Sequence, residues 1–244
     1  MSLRRRPPFI MAHRGSSERC PENTLASFRA AVEEGADIVE TDVRVAGDGT
    51  FVCIHDATVE RTTGGSGSVD AMSLGQLQSL DASQGRAGFA GERIPTIAQA
   101  ASVLPPAVML AAELKSDEFI DPHVTERLLD ELAHLGMLGR TMFLSFRWDR
   151  LVALHRLAPD VPTGLLSLSR LLPHPGTRLL GPSWWTLRAN IMFIRTAHRR
   201  GQLVCPLDPT PEPRLAWYLR IGCDAVLTDA PGRTREAVED LLAH

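Results

Sequence analysis

At 244 residues, 44% of them apolar and 23% charged, the chain has enough material for a full core and shows no sign of global disorder. A net charge of −3 and a pI near 6.2 argue against a general nucleic-acid binder. No stretch approaches a transmembrane span, and Arg4-Arg5-Arg6 leads into a strand-length apolar run rather than a cleavable hydrophobic region. These features predict a cytoplasmic protein without stable membrane insertion, with Met1 to Arg6 as a loose leader.

The apolar run 8–12 reads as the first strand and ends at His13-Arg14-Gly15. A polar loop over 16–22 precedes a helix capped by Asn23 or Thr24 and stopped at Gly35. The strand 37–43, the turn Gly47-Asp48-Gly49 and the strand 50–54 form a hairpin pattern. Between 56 and 95 the periodicity breaks. Thr62-Thr63-Gly64-Gly65-Ser66-Gly67-Ser68 reads as flexible and 73–80 as a short helix. The segment is too long for an ordinary connection and reads as an inserted subdomain or lid.

From 96 onward, helices near 96–104, 122–135, 147–158, 190–200, 211–221 and 232–242 alternate with strands. Those strands fall near 107–114, 141–146, 163–168, 177–181, 203–207 and 224–228, with prolines and glycines over 169–185 blurring the sixth of the barrel. With 8–12 and 37–43 they make eight, so the pattern predicts an α/β fold, a (β/α)8 TIM barrel. The domain spans 7–244, with 56–95 inserted after the second barrel strand. The sequence sets no oligomeric state.

Chemistry gathers where apolar runs end. Glu40 and Asp42, like Glu113 and Lys115, stand two apart in a strand and share a face. Charges facing inward from a buried strand are unfavourable unless neutralised. Three carboxylates with His13, His55, Arg14 and Lys115 therefore point to a divalent cation and an anionic ligand. An all-oxygen donor set suits Mg²⁺ or Ca²⁺, and an ammonium suits phosphate. Lys115 is the only lysine in the chain. Cys20, Cys53, Cys205 and Cys223 lie far apart and predict buried thiols, not a zinc site or a disulfide framework. His123, His134, His155, His174, His198 and His244 read as surface residues.

The chain resembles the glycerophosphodiester phosphodiesterase family in His13-Arg14-Gly15, Pro21-Glu22-Asn23-Thr24, Glu40-Thr41-Asp42, His55-Asp56, Arg61-Thr62-Thr63, Glu92 to Thr96, Glu113-Leu114-Lys115 and Gly222 to Asp229. The resemblance implies hydrolysis of a small-molecule glycerophosphodiester to glycerol 3-phosphate and an alcohol. It implies Glu40, Asp42 and Glu113 as metal ligands and His13 and His55 as the acid–base pair. Arg14 and Lys115 would contact phosphate, while Glu22 and Asn23 would support the first loop. The family's wider relations add lysophospholipase D or sphingomyelinase D-like activity, and a non-catalytic glycerophosphodiester-binding protein is the rival from another class. Ser145-Phe146-Arg147 and Cys205-Pro206-Leu207-Asp208 depart from the family pattern at strand ends, which bears on the substrate pocket. Trp184 and Trp185 offer either an aromatic wall or packing between helix and barrel. No motif residue is a clear nucleophile, so the substrate's own neighbouring hydroxyl is expected to attack, giving a cyclic phosphate that water opens.

Overall fold

The computed structural model describes residues 8–243, so the expected leader Met1 to Arg6 and His244 lie outside it. In chain order the first elements are β1 (Phe9–Ala12), α1 (Leu25–Glu33), β2 (Ile38–Val45), β3 (Phe51–Cys53), α2 (Leu74–Ser79) and α3 (Ile97–Ser102). They are followed by β4 (Met109–Leu114), α4 (Pro122–His134), β5 (Thr141–Ser145), α5 (Trp148–Leu157) and β6 (Thr163–Ser167). The last part comprises β7 (Leu179–Pro182), α6 (Trp184–Ala189), α7 (Phe193–Arg199), β8 (Leu203–Val204), α8 (Leu215–Ile221), β9 (Ala225–Thr228) and α9 (Pro231–Ala243).

The sheet runs β8-β7-β6-β5-β4-β2-β1-β9 with parallel neighbours, and β3 pairs antiparallel on β2. This is the expected barrel. Its seam is held by the Asp224 N–H donating to the Val204 carbonyl (2.9 Å) and the Val204 N–H donating to Asp224 Oδ2 (2.8 Å). The period of two sorts the core. Met11, Ile38, Met109, Ala111, Leu144 and Leu227 fill the barrel interior, while Ile10, Val39, Leu110 and Val226 face the helices.

Local chemistry explains most element ends. Thr24, not Asn23, caps α1: its hydroxyl accepts the Ser27 N–H while Ser27 answers the Thr24 N–H, both at 3.2 Å. β8 is shorter than 203–207 because Pro206 has no N–H to donate. The helix expected over 211–221 enters through a 3₁₀ turn, Glu212–Arg214, before α8. Helix α6 is a structural addition to the pattern read in the sequence. Ser183 caps it, accepting the Thr186 N–H (3.3 Å). Trp184 packs between helix and barrel and Trp185 stays exposed, and neither lines the cavity at the carboxyl end of the barrel strands.

Residues 56–95 carry a 3₁₀ turn, Val69–Ala71, and α2. Val59, Val69, Leu77, Ala82 and Ile94 bury a small core against Val52 and Ile54. All four cysteines are free and buried. Of the histidines read as surface residues, His174 is half-buried against Trp148 (ring centroids 4.5 Å apart), and the exposed His198 binds Asp224 Oδ2 (2.9 Å) beside the seam. Among the described residues, no helix is long and apolar enough to cross a membrane.

Candidate active site

The strands deliver their charged residues to one end of the barrel. Pairing of β2 with β4 sets Asp42 directly opposite Glu113 and Glu40 opposite Ala111. Glu40, Asp42 and Glu113 are all buried, and each has a ligand atom within 4.8 Å of the others. Like charges placed so closely repel across a sheet. Burial first, and the Asp42 charge second, push the Glu40 carboxyl up to about 8. Glu113 moves up for the same reasons. Asp42 goes the other way: burial opposes ionisation, but Lys115 and Arg14 outweigh it. A divalent cation fits this donor set, because hard oxygen ligands at close range are acidic groups that only a concentrated positive charge keeps ionised together.

The chain's own cations already lean on the cluster. Lys115 Nζ lies 2.8 Å from Glu113 Oε1 and 3.2 Å from Asp42 Oδ1. Arg14 reaches Glu22 Oε1 through Nη1 (2.8 Å) and Asp42 Oδ2 through Nε (3.2 Å), and its backbone N–H donates to Glu40 Oε2 (2.8 Å). Arg14 and Asn23 both sit in the left-handed region, at φ 57° and 55°, a strain that persists only where surroundings enforce it. Gly15 follows at φ 82°, and a Cβ there would stand 2.4 Å from Ser27 Oγ. Only glycine lets this turn lie against α1. Asn23 donates to Asp42 Oδ2 (2.9 Å) and accepts from Thr41 Oγ1 (2.7 Å), fixing the carboxylate it faces. Glu22 is gripped from the other side by Arg61 through two 2.8 Å hydrogen bonds.

Each histidine is held through Nδ1 by an aspartate, which leaves its Nε2 clear of that contact. His13 Nδ1 is 2.8 Å from Asp229 Oδ1, and His55 Nδ1 is 2.6 Å from Asp56 Oδ1. Burial lowers the pKa of both. At His13 the Asp229 hydrogen bond and Glu40 outweigh burial, and the net shift is upward. At His55 burial prevails over Asp42 and Asp56, and the net shift is downward. Sequence reasoning gave no role to Asp229 or Asp56. Asp229 stands at the carboxyl end of β9, and that position was the available signal.

A cavity of about 260 Å³ lies over the cluster. His13, Arg14, Glu40, His55, Glu113 and Lys115 line one side, and Leu144, Phe146, Leu166, Leu168, Leu207 and Pro209 line the other. The departures at strand ends now have places. Phe146 and Leu207 join the apolar wall. Arg147 turns outward to Asp117 and Asp149 (2.8 and 2.5 Å), and buried Asp208 pairs with Arg214 (2.6 Å) and Tyr218 (2.6 Å). The segment 56–95 supplies none of the residues that line this cavity. It flanks the mouth instead, through Arg61 on Glu22 and through Arg86 donating to the Ser17 carbonyl (3.1 Å).

Comparison with known proteins points to one family. The chain is 32% identical over 229 residues to the glycerophosphodiester phosphodiesterase of Caldanaerobacter subterraneus subsp. tengcongensis, covering 91% of this chain and 94% of that one. Among solved structures, a phosphodiesterase of Oleispira antarctica in complex with the product sn-glycerol-3-phosphate superposes with a TM-score of 0.87 at 28% identity, covering 95% of this chain and 97% of that one. A glycerophosphodiester phosphodiesterase of Agrobacterium tumefaciens gives a TM-score of 0.79 at 25% identity, covering 92% and 97%. The sequence profile of the glycerophosphoryl diester phosphodiesterase family matches residues 13–233. With its barrel, its carboxylate cluster and these relatives in view, the chain belongs to the glycerophosphoryl diester phosphodiesterase family.

Proposed function

We propose that the protein hydrolyses glycerophosphodiesters to glycerol 3-phosphate and an alcohol, with Mg²⁺ or Ca²⁺ held by Glu40, Asp42 and Glu113. The observation that carries this reading is one cavity flanked by three buried carboxylates and two aspartate-held histidines. When bound, the cation supplies positive charge against the phosphate and the carboxylates. Arg14 and Lys115, the cations on the cavity wall, bind the phosphate oxygens. Glu22 and Asn23 hold the first loop and Asp42 in place.

The opposite shifts of the histidines divide the proton work. His55, disposed to be neutral, takes the proton of the attacking hydroxyl on its Nε2. His13, disposed to be protonated, gives one to the departing alkoxide. No serine, threonine or lysine on the charged side is placed as a free nucleophile. Cys205 lies on the opposite wall with its thiol driven far up by burial. The 2-hydroxyl of the glycerol moiety therefore attacks phosphorus as the bond to the leaving oxygen breaks. Water then opens the cyclic phosphate in a second step. Intramolecular attack draws on effective molarities of about 10⁵ M or more.

The apolar wall supports a second reading, a lysophospholipase D-like preference for an alcohol that carries a hydrocarbon chain. A non-catalytic binding protein has less support, because binding alone gives no use for two oriented imidazoles. Residues 7–244 form one barrel domain with 56–95 as an insertion, and the small core of that segment supports this. Four free thiols fit a reducing cytoplasm. The net charge of −3 favours small-molecule substrates over nucleic acid. The test is turnover of glycerophosphocholine and of lysophosphatidylcholine, each with and without a chelator. Hydrolysis of the first that chelation abolishes is expected, and turnover indifferent to chelation would sink the metal assignment.

A further inference from the structure

We propose that the rim between residues 168 and 192 docks the protein on an anionic lipid surface. Over 161–207 the sequence holds six arginines and no aspartate or glutamate, in a chain whose net charge is −3. The same stretch exposes Leu168, Leu171, Leu172, Trp185, Ile191 and Met192, with Leu172 at 68% and Ile191 at 84% of full exposure. Apolar side chains that open to water are unremarkable singly, but a cluster of them marks a contact surface.

The topology puts these residues together. Leu168, Leu171 and Leu172 lie on the connection leaving β6, and Trp185, Ile191 and Met192 on the connection leaving β7. Asn190 Nδ2 donates to the Leu171 carbonyl (2.8 Å) and Ser183 Oγ to the Leu168 carbonyl (2.8 Å), stitching the two connections to each other. Exposed Arg170 stands beside Leu171, and exposed Arg188 lines a shallow groove with Ile191 and Trp184. Neither arginine has a carboxylate partner among the described residues. The next acid along the chain, Asp208, is buried and spent on Arg214 and Tyr218. Leu168 also lines the catalytic cavity, so the patch meets its apolar wall at that residue.

The chemistry selects a lipid occupant. Leucine and isoleucine tips bury into the acyl boundary, while arginines beside them meet anionic head groups. Trp185, stacked on Trp184 with centroids 3.6 Å apart, suits the interface between head group and acyl region. A second copy of this chain fits worse. A two-fold contact brings together two patches of the same positive charge that offer each other no acid. Docking in this orientation presents the cavity mouth to the membrane.

The test is sedimentation of the full chain with vesicles, read as binding and therefore separable from any failure of the proposed reaction. Vesicles of phosphatidylcholine and phosphatidylglycerol mixed three to one should retain the protein about tenfold better than phosphatidylcholine alone, and added salt should release it. The double variant Arg170→Glu/Arg188→Glu and the triple variant Leu171→Ser/Leu172→Ser/Ile191→Ser should each lower retention about tenfold. Neither touches the cavity, so turnover of glycerophosphocholine should persist and report an intact fold. If the triple variant misfolds, the arginine pair decides alone. Absence of wild-type binding to either vesicle would overturn the proposal, as would full retention of the Arg170→Glu/Arg188→Glu variant. A wild-type dimer dissolved by these substitutions would overturn it too, assigning the surface to a second copy.

Discussion

Asp229 Oδ1 sits 2.8 Å from Nδ1 of His13, although 216 residues separate them. Pairing of β1 with β9 brings them together, with Ala12 beside Thr228, and both side chains lie just past the carboxyl ends of these strands. The aspartate also accepts from Ser17 Oγ (2.8 Å), so its own position is fixed. Asp229→Asn should cut kcat about 10²- to 10³-fold with little change in KM, since it disturbs an acid and not the binding groups. Steady-state kinetics with glycerophosphocholine would check this, and wild-type kcat in the variant would remove Asp229 from the machinery.

The pH profile should be a bell whose limbs straddle the ordinary histidine value of 6.5. The proposed division of proton work needs His55 neutral and His13 protonated. The acidic limb follows His55, lowered chiefly by burial, and the alkaline limb follows His13, raised by Asp229 and Glu40 against its burial. Removing the Asp229 charge takes away a raising influence, so the alkaline limb of Asp229→Asn should move to lower pH. A limb that moves upward would detach it from His13.

Cation binding should stabilise the fold more at pH 8 than at pH 5.5. The folded Glu40 carboxyl sits at about 8 against an ordinary 4.5, so its protonated form favours the folded state. That contribution is complete below 4.5 and is lost as pH rises through 8. A divalent cation must displace this proton in acid and meets a free carboxylate in base. Calorimetry at several pH values with Mg²⁺ or Ca²⁺ should show the increment in Tm growing with pH, reaching about 2.7 kcal/mol of stabilisation when the cation is at a hundred times its Kd. An increment independent of pH would place the cation away from Glu40.

A 2-deoxy glycerophosphodiester should bind and resist hydrolysis. It retains the phosphate proposed to meet Arg14 and Lys115 and lacks the hydroxyl proposed to attack. Competition against the parent substrate measures binding, and product release measures turnover. Hydrolysis at a rate near that of the parent would mean that water attacks phosphorus directly.

The sequence disclosed the site wherever neighbours along one strand make it. Glu40 with Asp42 and Glu113 with Lys115 were legible because a period of two points both members of a pair inward. The eight barrel strands were legible because each is a short apolar run between helical patterns. Residues that meet only through the third dimension were harder to find. Asp229 reaches His13 across the β1–β9 pairing, and the apolar wall draws Phe146, Leu168 and Leu207 from three separate connections. Helix α6 was hidden because its start follows directly on Pro182, leaving Ser183 as its only sequence signal. The segment 56–95 was recognisable by length, but length does not say on which side of the mouth a segment settles.

Lys115 gives the protein an unusual experimental handle. It is the only lysine of the 244 residues, and it lies buried with its ammonium against Glu113 and Asp42. Succinimide dyes, acetylating agents and amine crosslinkers therefore have a single lysine to find, on the cavity wall; burial lowers its pKa but Asp42 and Glu113 outweigh that, so alkaline conditions are needed to free the amine. The rest of the side-chain surface is silent to them. The extent of labelling at that one amine becomes a direct gauge of cavity occupancy, and any bound phosphate ester that covers it should register as protection.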